Sequence, residues 1–213
     1  MKNIFAAKNN RMKLSILTTS ISLAAFTPLA IADTTSGPYI GMGAGFYNTD
    51  LTVKGGAAVI HFGDDKLDAG LDIFAGYKWN SGAGSVSLEL GYVDNYGKLG
   101  TWSGGTDSIR GEMEGGASIS ILPGYQLSKD TMIFARLGYA HAKGTMTIAG
   151  TLTGTGSLKF KDWMYGFGIE HALSPKFAIR AEYKVLDNMS KLNGTTTLEP
   201  RATGGNLALK YAF

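Results

Sequence analysis

Apolar and polar residues alternate with a period of two over most of the chain beyond residue 38. Such alternation is typical of β-strands whose two faces meet different surroundings. Eight runs of this kind predict eight strands. In chain order, the apolar positions of the runs are Ile40, Met42, Ala44 and Phe46; Leu71, Ile73, Ala75 and Tyr77; Val86, Leu88, Leu90 and Tyr92; Ala117, Ile119, Ile121 and Tyr125; Ile133, Ala135, Leu137 and Tyr139; Trp163, Tyr165, Phe167 and Ile169; Phe177, Ile179, Ala181, Tyr183 and Val185; and Leu207, Leu209, Tyr211 and Phe213.

The opposite face of each run is small or charged, as with Gly41, Gly43 and Gly45 in the first run. A soluble sandwich or a lipocalin-like barrel also alternates, but it turns the apolar face inward. Large aromatic side chains would overfill the interior of an eight-stranded barrel, whereas glycine and alanine suit a narrow lumen. We therefore predict that the apolar face points outward to lipid. A secreted soluble barrel is the alternative fold.

Connection lengths alternate between short and long. Three short links carry turn residues and lie at 79–84, 127–131 and 172–176. Four longer links lie at about 52–66, 97–112, 142–158 and 187–203. Short periplasmic turns and long outer loops are typical of bacterial outer-membrane barrels. The predicted fold is therefore all-β: an eight-stranded antiparallel up-and-down transmembrane β-barrel, located in the bacterial outer membrane.

Aromatic residues near the strand ends predict two girdles, one at each membrane interface. Tyr39, Tyr77, Trp79 and Tyr125 are expected at the periplasmic ends of the strands. Near the outer ends we expect Tyr92, Tyr96, Tyr139 and Trp163. A soluble barrel has no reason to carry such bands.

The first 32 residues differ from the rest of the chain. Four basic residues precede an apolar stretch that includes Leu14 to Phe26, and Ala30-Ile31-Ala32 matches a signal-peptidase site. An uncleaved anchor is less consistent, because threonines and serines interrupt the apolar stretch. We predict a signal peptide over 1–32 and a barrel domain over 33–213. Its removal leaves 16 basic against 17 acidic residues, so no basic surface argues for nucleic acid.

Several segments resemble the small outer-membrane barrel families, the OmpA/OmpX/Ail-like and opacity-like group. They are the opening Pro38 to Gly45, Leu137-Gly138-Tyr139, and the closing strand from Asn206 to Phe213. The resemblance covers nearly all of 33–213. It implies that the closing strand is a C-terminal signal for the barrel-assembly machinery, carried by Asn206, Leu209, Tyr211 and Phe213. The departure is Ala208, where the family signal usually has glycine. It also implies outer-membrane lipid and lipopolysaccharide as surroundings.

Charged residues occupy several of the predicted inward positions. In the resembling families, such residues pair across a lumen too narrow for open solvent, and a buried unpaired charge is unfavourable by several kcal/mol. We predict an ion-pair network that plugs the barrel. The alternative is a selectivity filter in a conducting pore. The predicted network comprises Glu89, Arg136, Glu170, Arg180, Glu182 and Lys210.

Candidate chemistry is sparse. Some resembling barrels modify lipid A with a serine, a histidine and an acid, but the histidines here are His61, His141 and His171. His171 has Ser174 nearby at a predicted periplasmic turn, and His141 has no serine within two residues. No histidine pair or acid cluster has metal-ligand spacing, and there is no cysteine. We expect no catalytic residue, no metal and no cofactor.

The expected function is therefore structural or adhesin-like. A barrel body supports the envelope, and long loops meet a host or surface ligand. Threonine and glycine alternate with apolar residues over 144–153, which predicts that two strands extend beyond the membrane as a hairpin. Exposed strand edges pair readily with partner proteins. The alternatives are a small porin or channel and a lipid A-modifying enzyme.

Overall fold

The computed structural model describes residues 36–213 apart from short gaps at 56–57, 64–65, 105–106, 152, 188–189 and 193–195. The predicted signal peptide, 1–32, lies outside the described residues. Within the part of the chain that the structure describes, no helix is long and apolar enough to cross a membrane.

The described residues form ten antiparallel strands. Eight close into a ring in the order β1-β3-β4-β5-β6-β7-β8-β10, with β10 pairing back to β1. The short strands β2 and β9 pair with the far ends of β1 and β10. The predicted eight-stranded up-and-down barrel is confirmed. The strands are β1 (Gly37–Gly55), β2 (Ala58–Gly63), β3 (Asp68–Ser81), β4 (Gly84–Gly104), β5 (Asp107–Gln126), β6 (Thr131–Ala149), β7 (Gly154–Ala172), β8 (Phe177–Asp187), β9 (Ser190–Leu192) and β10 (Thr196–Ala212).

The two faces of the barrel wall follow the predicted alternation. Leu137 and Phe167 point outward and are 55% and 67% exposed. Arg136, beside Leu137 on β6, points inward and is 5% exposed. Large apolar side chains on the outside of a closed barrel require apolar surroundings such as lipid. A soluble barrel has the reverse arrangement, with its apolar face inside.

One end of the ring, here called the turn end, is closed by short connections. Gly82 occupies the tight turn between β3 and β4 with φ +59°, a conformation that favours glycine. In the link 127–130, the Leu127 N–H donates to the carbonyl of Thr131 at 2.8 Å. In the link 173–176, the Ser174 hydroxyl oxygen accepts from the Phe177 N–H at 3.1 Å. The three predicted short links are confirmed.

At the other end, here called the loop end, the strands continue far beyond the predicted outer aromatic band. β6 runs ten residues past Tyr139, which is roughly 33 Å along the strand. The hairpin extension predicted from the alternation over 144–153 is confirmed by pairing as far as Ile148 with Gly154. The link predicted over 97–112 differs, because it is also a paired hairpin that reaches Gly104 and Asp107.

Beyond the ring, the wall divides into two sheets, here called the loop-end extension. Pairing of β3 with β4 stops at Val93, and pairing of β7 with β8 stops at Met164. One sheet then contains β2, β1, β10 and β9, and the other contains β4 to β7. Register shifts in β4 lie at Gly97 and Gly100, whose φ values are +113° and +106°. Bulges of this kind bend a strand locally and increase its twist.

Candidate functional site

The lumen at mid-height holds a cluster of buried ion pairs. Glu89 of β4 accepts from Arg136 Nη2 and Arg180 Nη1, each at 2.6 Å. Arg136 also pairs with Glu182 of β8, with Nη2 to Oε2 at 3.0 Å and a second bond from Nε to Oε1. All four side chains are at most 4% exposed. The Glu89 carboxylate is therefore shared by two guanidinium groups. These ion pairs link β4, β6 and β8 across the lumen.

Arg180 is the centre of this cluster. It donates from Nη2 to Glu170 Oε2 at 3.1 Å, in addition to its bond with Glu89. Its guanidinium carbon lies 4.4 Å from the ring centroid of Phe74 and 5.1 Å from that of Phe134. Both rings are close enough for cation–π contacts with the guanidinium group. Arg180 is therefore held by two carboxylates and aromatic rings together.

Lys210 and Lys184 extend the cluster toward the two ends. The Lys210 ammonium donates to Glu170, and the Lys184 ammonium donates to Asp72. Asn206 Nδ2 also donates to Asp72, at 2.6 Å. The structure therefore brings together all six residues of the predicted network. Sequence reasoning missed Asp72 and Lys184, although both lie at inward positions of their alternating runs and parity alone was sufficient to find them.

Tyr39 corrects the predicted girdle. It is 2% exposed and points into the lumen, where its hydroxyl donates to Glu89 Oε2 at 2.9 Å. Tyr39 points inward because residues two positions apart in a strand lie on the same face, and it shares the inward face of β1 with Gly41 and Gly43. Six other predicted girdle residues are outward and between 41% and 58% exposed: Tyr77, Trp79, Tyr92, Tyr125, Tyr139 and Trp163.

An apolar layer lies on the loop side of the charged cluster. Leu51, Leu99, Met113 and Phe160 are each at most 2% exposed and belong to one packed core. Tyr96 belongs to it as well, at 4% exposed, and so is not an outer girdle residue as predicted. The register shift at Asn95 and Gly97 changes the parity of β4 and turns Tyr96 inward. Residues of both sheets of the loop-end extension share this core.

Glycines make room for the lumen side chains. A Cβ atom at Gly41 would lie 2.2 Å from Cζ of Phe74, and one at Gly168 would lie 2.4 Å from Cζ of Phe134. These distances are far below van der Waals contact, so both rings pack directly on strand backbone. Glycine at these two positions is therefore required for the rings to occupy the lumen.

The predicted assembly-signal residues lie on the closing strand β10 and, in the case of Phe213, directly after it. Leu209 and Phe213 are outward and 47% and 66% exposed. The Tyr211 ring packs between Phe177 and Phe213, with centroid distances of 5.1 Å to each. Asn206 differs, since it is buried in the lumen and bound to Asp72. Three of the four residues therefore form part of the outer surface at the turn end.

The histidines lie far apart in the barrel. His61 Nδ1 is 2.9 Å from the hydroxyl of Thr52, and His171 Nδ1 is 2.9 Å from that of Thr131. His141 is on β6 opposite Lys161 of β7. Among the residues that the structure describes, no group of three histidine or acidic side chains could hold a metal ion.

Comparisons with known proteins agree with this architecture. Residues 14–213 match the family model described as the outer membrane protein beta-barrel domain. Outer membrane protein A of Shigella flexneri is 30% identical over 158 residues, which are 70% of this chain and 40% of that protein. The chain thus spans about two fifths of the length of that relative.

Solved structures of small barrels are similar to this chain at low identity. The attachment invasion locus protein Ail of Yersinia pestis has a TM-score of 0.45 and 19% identity, covering 82% of this chain and 99% of that one. Neisserial surface protein A has a TM-score of 0.47 and 14% identity, covering 84% and 98%. Because the family model spans nearly the whole chain, this protein belongs to the outer membrane protein beta-barrel family and is located in the bacterial outer membrane.

Proposed function

We propose that this protein is a non-conducting, non-enzymatic outer-membrane barrel that supports the envelope and makes adhesin-like contacts through its loop-end extension. The observation that carries the proposal is the filled lumen. Charged pairs around Arg180 occupy mid-height, and the apolar core around Phe160 lies on the loop side. An ion would have to cross both layers. The runner-up function, a small channel, requires these layers to open.

Planar-bilayer recording tests the sealed lumen. The purified, folded protein is expected to give no regular conductance steps, because eight strands leave little space once the lumen is filled. A wide porin in the same bilayers is the positive control, and heat-modifiable gel mobility shows that the sample is folded. Reproducible single-channel steps from folded protein would contradict the proposal and favour the channel.

The loop-end extension supports the surface role. From Gly154 to Asp162, β7 pairs with β6 on one side, and its pairing with β8 begins only at Met164. Among the described residues, this stretch of β7 therefore has an unpaired backbone edge. Such an edge can add a strand from a partner. The adhesin-like role rests on this protruding, partly unpaired sheet.

A basic column on the same hairpin indicates what surrounds it. Lys143 lies directly opposite Lys159, and His141 directly opposite Lys161. The next outward pair toward the turn end is Tyr139 with Trp163, whose rings are 5.9 Å apart. Like charges directly opposite on neighbouring strands are destabilising unless an anion is shared. Since the column lies just beyond the aromatic girdle, the phosphates of lipopolysaccharide are the proposed anions.

Lipopolysaccharide binding can be measured by thermal protection. Added lipopolysaccharide is expected to raise the unfolding temperature of the detergent-solubilised protein, and a dephosphorylated form is expected to raise it less. The triple variant Lys143→Gln, Lys159→Gln, Lys161→Gln should lose most of the difference. The matched control Lys54→Gln, Lys66→Gln, Lys98→Gln removes equal charge from exposed sites outside this hairpin. If both triple variants lose the difference in protection equally, the effect is one of net charge, and binding of lipopolysaccharide at the basic column is contradicted.

Two further parts of the proposal follow from the placement of side chains. The outward Leu209, Tyr211 and Phe213 suit recognition of β10 by the barrel-assembly machinery.

The lipid A-modifying alternative is not favoured, because His61 and His171 each contact a threonine rather than a serine with an acid. Measured deacylation or acyl transfer on lipid A by the purified protein would reverse that preference.

A further inference from the structure

The turn end of the lumen, which faces the periplasm in this family, contains a pocket. Its volume is about 380 Å³. The inner wall includes Tyr39, Lys78, Glu170 and Lys210, and the rim includes Lys129 and Lys176 from the short links. The pocket is separate from the loop-end extension and has no part in the proposed surface role.

Lys78 is the exceptional residue of this pocket. Among the described residues, the buried charges of the lumen are five basic (Lys78, Arg136, Arg180, Lys184 and Lys210) and four acidic (Asp72, Glu89, Glu170 and Glu182). Every one of these except Lys78 takes part in an ion pair. Lys78 is 8% exposed and lines the pocket, yet no described side chain pairs with it or accepts a hydrogen bond from it.

The nearby acids are already engaged. Glu170 binds Arg180 at 3.1 Å and also accepts from Lys210. Asp130 on the rim lies 3.7 Å from Lys129. The lining holds four lysines against these two acids, so an excess of positive charge faces the space. An ammonium that is buried without a partner is unfavourable unless an anion or water satisfies it.

We infer that the periplasmic pocket is a binding site for a compact oxyanion, a phosphate or a carboxylate, anchored by the Lys78 ammonium. An ammonium group has three donors. The Lys210 ammonium donates one hydrogen bond to Glu170 and retains other N–H groups. Lys78 and Lys210, which both line the pocket, can therefore donate to one oxyanion. A volume of about 380 Å³ admits a small group of this kind together with its first waters.

Thermal unfolding in inorganic phosphate tests the site. At constant ionic strength, phosphate is expected to raise the unfolding temperature of the folded protein in detergent in a saturable manner. At ten times the dissociation constant, binding shifts the folding equilibrium about 11-fold, or about 3–6 °C for a protein of this size. The variant Lys78→Met should lose the effect, and the control Lys66→Met, at an exposed site outside the pocket, should keep it. Acetate in place of phosphate separates carboxylate from phosphate preference.

Three results would overturn the inference. No saturable protection of the unchanged protein, or equal protection of Lys78→Met, would mean that Lys78 binds no oxyanion. A large loss of stability of Lys78→Met in anion-free buffer would mean that Lys78 has a structural partner. Asp33 lies outside the described residues, three positions before Ser36. Protection of Asp33→Asn without protection of the unchanged protein would mean that the chain supplies its own carboxylate.

Discussion

Replacement of Arg180 by methionine is expected to destabilise the folded barrel by about 3–5 kcal/mol, the usual result of removing one partner from a buried ion pair. Methionine fills much of the space but leaves Glu89 and Glu170 without a bond that each now makes. The cation–π contacts with Phe74 and Phe134 are lost as well. The temperature at which the unboiled protein changes to its boiled gel mobility measures the effect, at about 2–4 °C per kcal/mol.

A surface arginine provides the matched control. Arg110 forms an ion pair with Glu112 at 2.6 Å, but both side chains are about half exposed. Exposed pairs contribute at most about 1 kcal/mol, so Arg110→Met should shift the transition by little. If Arg180→Met unfolds at the same temperature as Arg110→Met, the lumen pairs do not hold the barrel together.

Replacement of Gly41 by valine is expected to have the second large effect. A Cβ atom there meets three carbons of the Phe74 ring within 3 Å. The ring cannot move freely, because Arg180 lies over its face and Tyr39 packs against it edge-on. Overpacking of a filled interior commonly destabilises by about 1–3 kcal/mol, and by more when neighbours cannot shift. The folded fraction after refolding, measured by gel mobility, should fall sharply.

Gly37 on the same strand offers a matched control, since a Cβ atom there meets nothing within 4 Å. Gly37→Val should therefore fold like the unchanged protein. Adding Phe74→Ala to Gly41→Val opens space for the valine and should recover part of the loss. If Gly37→Val is as harmful as Gly41→Val, the effect comes from β1 backbone preference rather than from the lumen.

Much of the barrel could be predicted because strand alternation is a local property. Each side chain's face follows from its neighbours two positions away, so Leu137 and Arg136 could be placed without knowledge of the fold. The girdle prediction for Tyr39 was wrong, because a position near a strand end does not decide which face of the strand a side chain occupies. The prediction for Tyr96 was wrong for another reason. A bulge between Asn95 and Gly97 turns Tyr96 inward, although Tyr92 on the same strand is outward.

The sequence by itself determined the eight strands of the ring, the outward apolar face, the short turns and six of the inward charges, all of which depend on residues close together in the chain. The tertiary structure alone decided which charges pair. Glu89 and Arg180 are 91 residues apart, and only ring closure brings them within 2.6 Å. It also divided the loop end into two sheets with a shared apolar core and left Lys78 without a partner among the described residues. Those outcomes depend on how distant strands meet across the lumen, which no local pattern records.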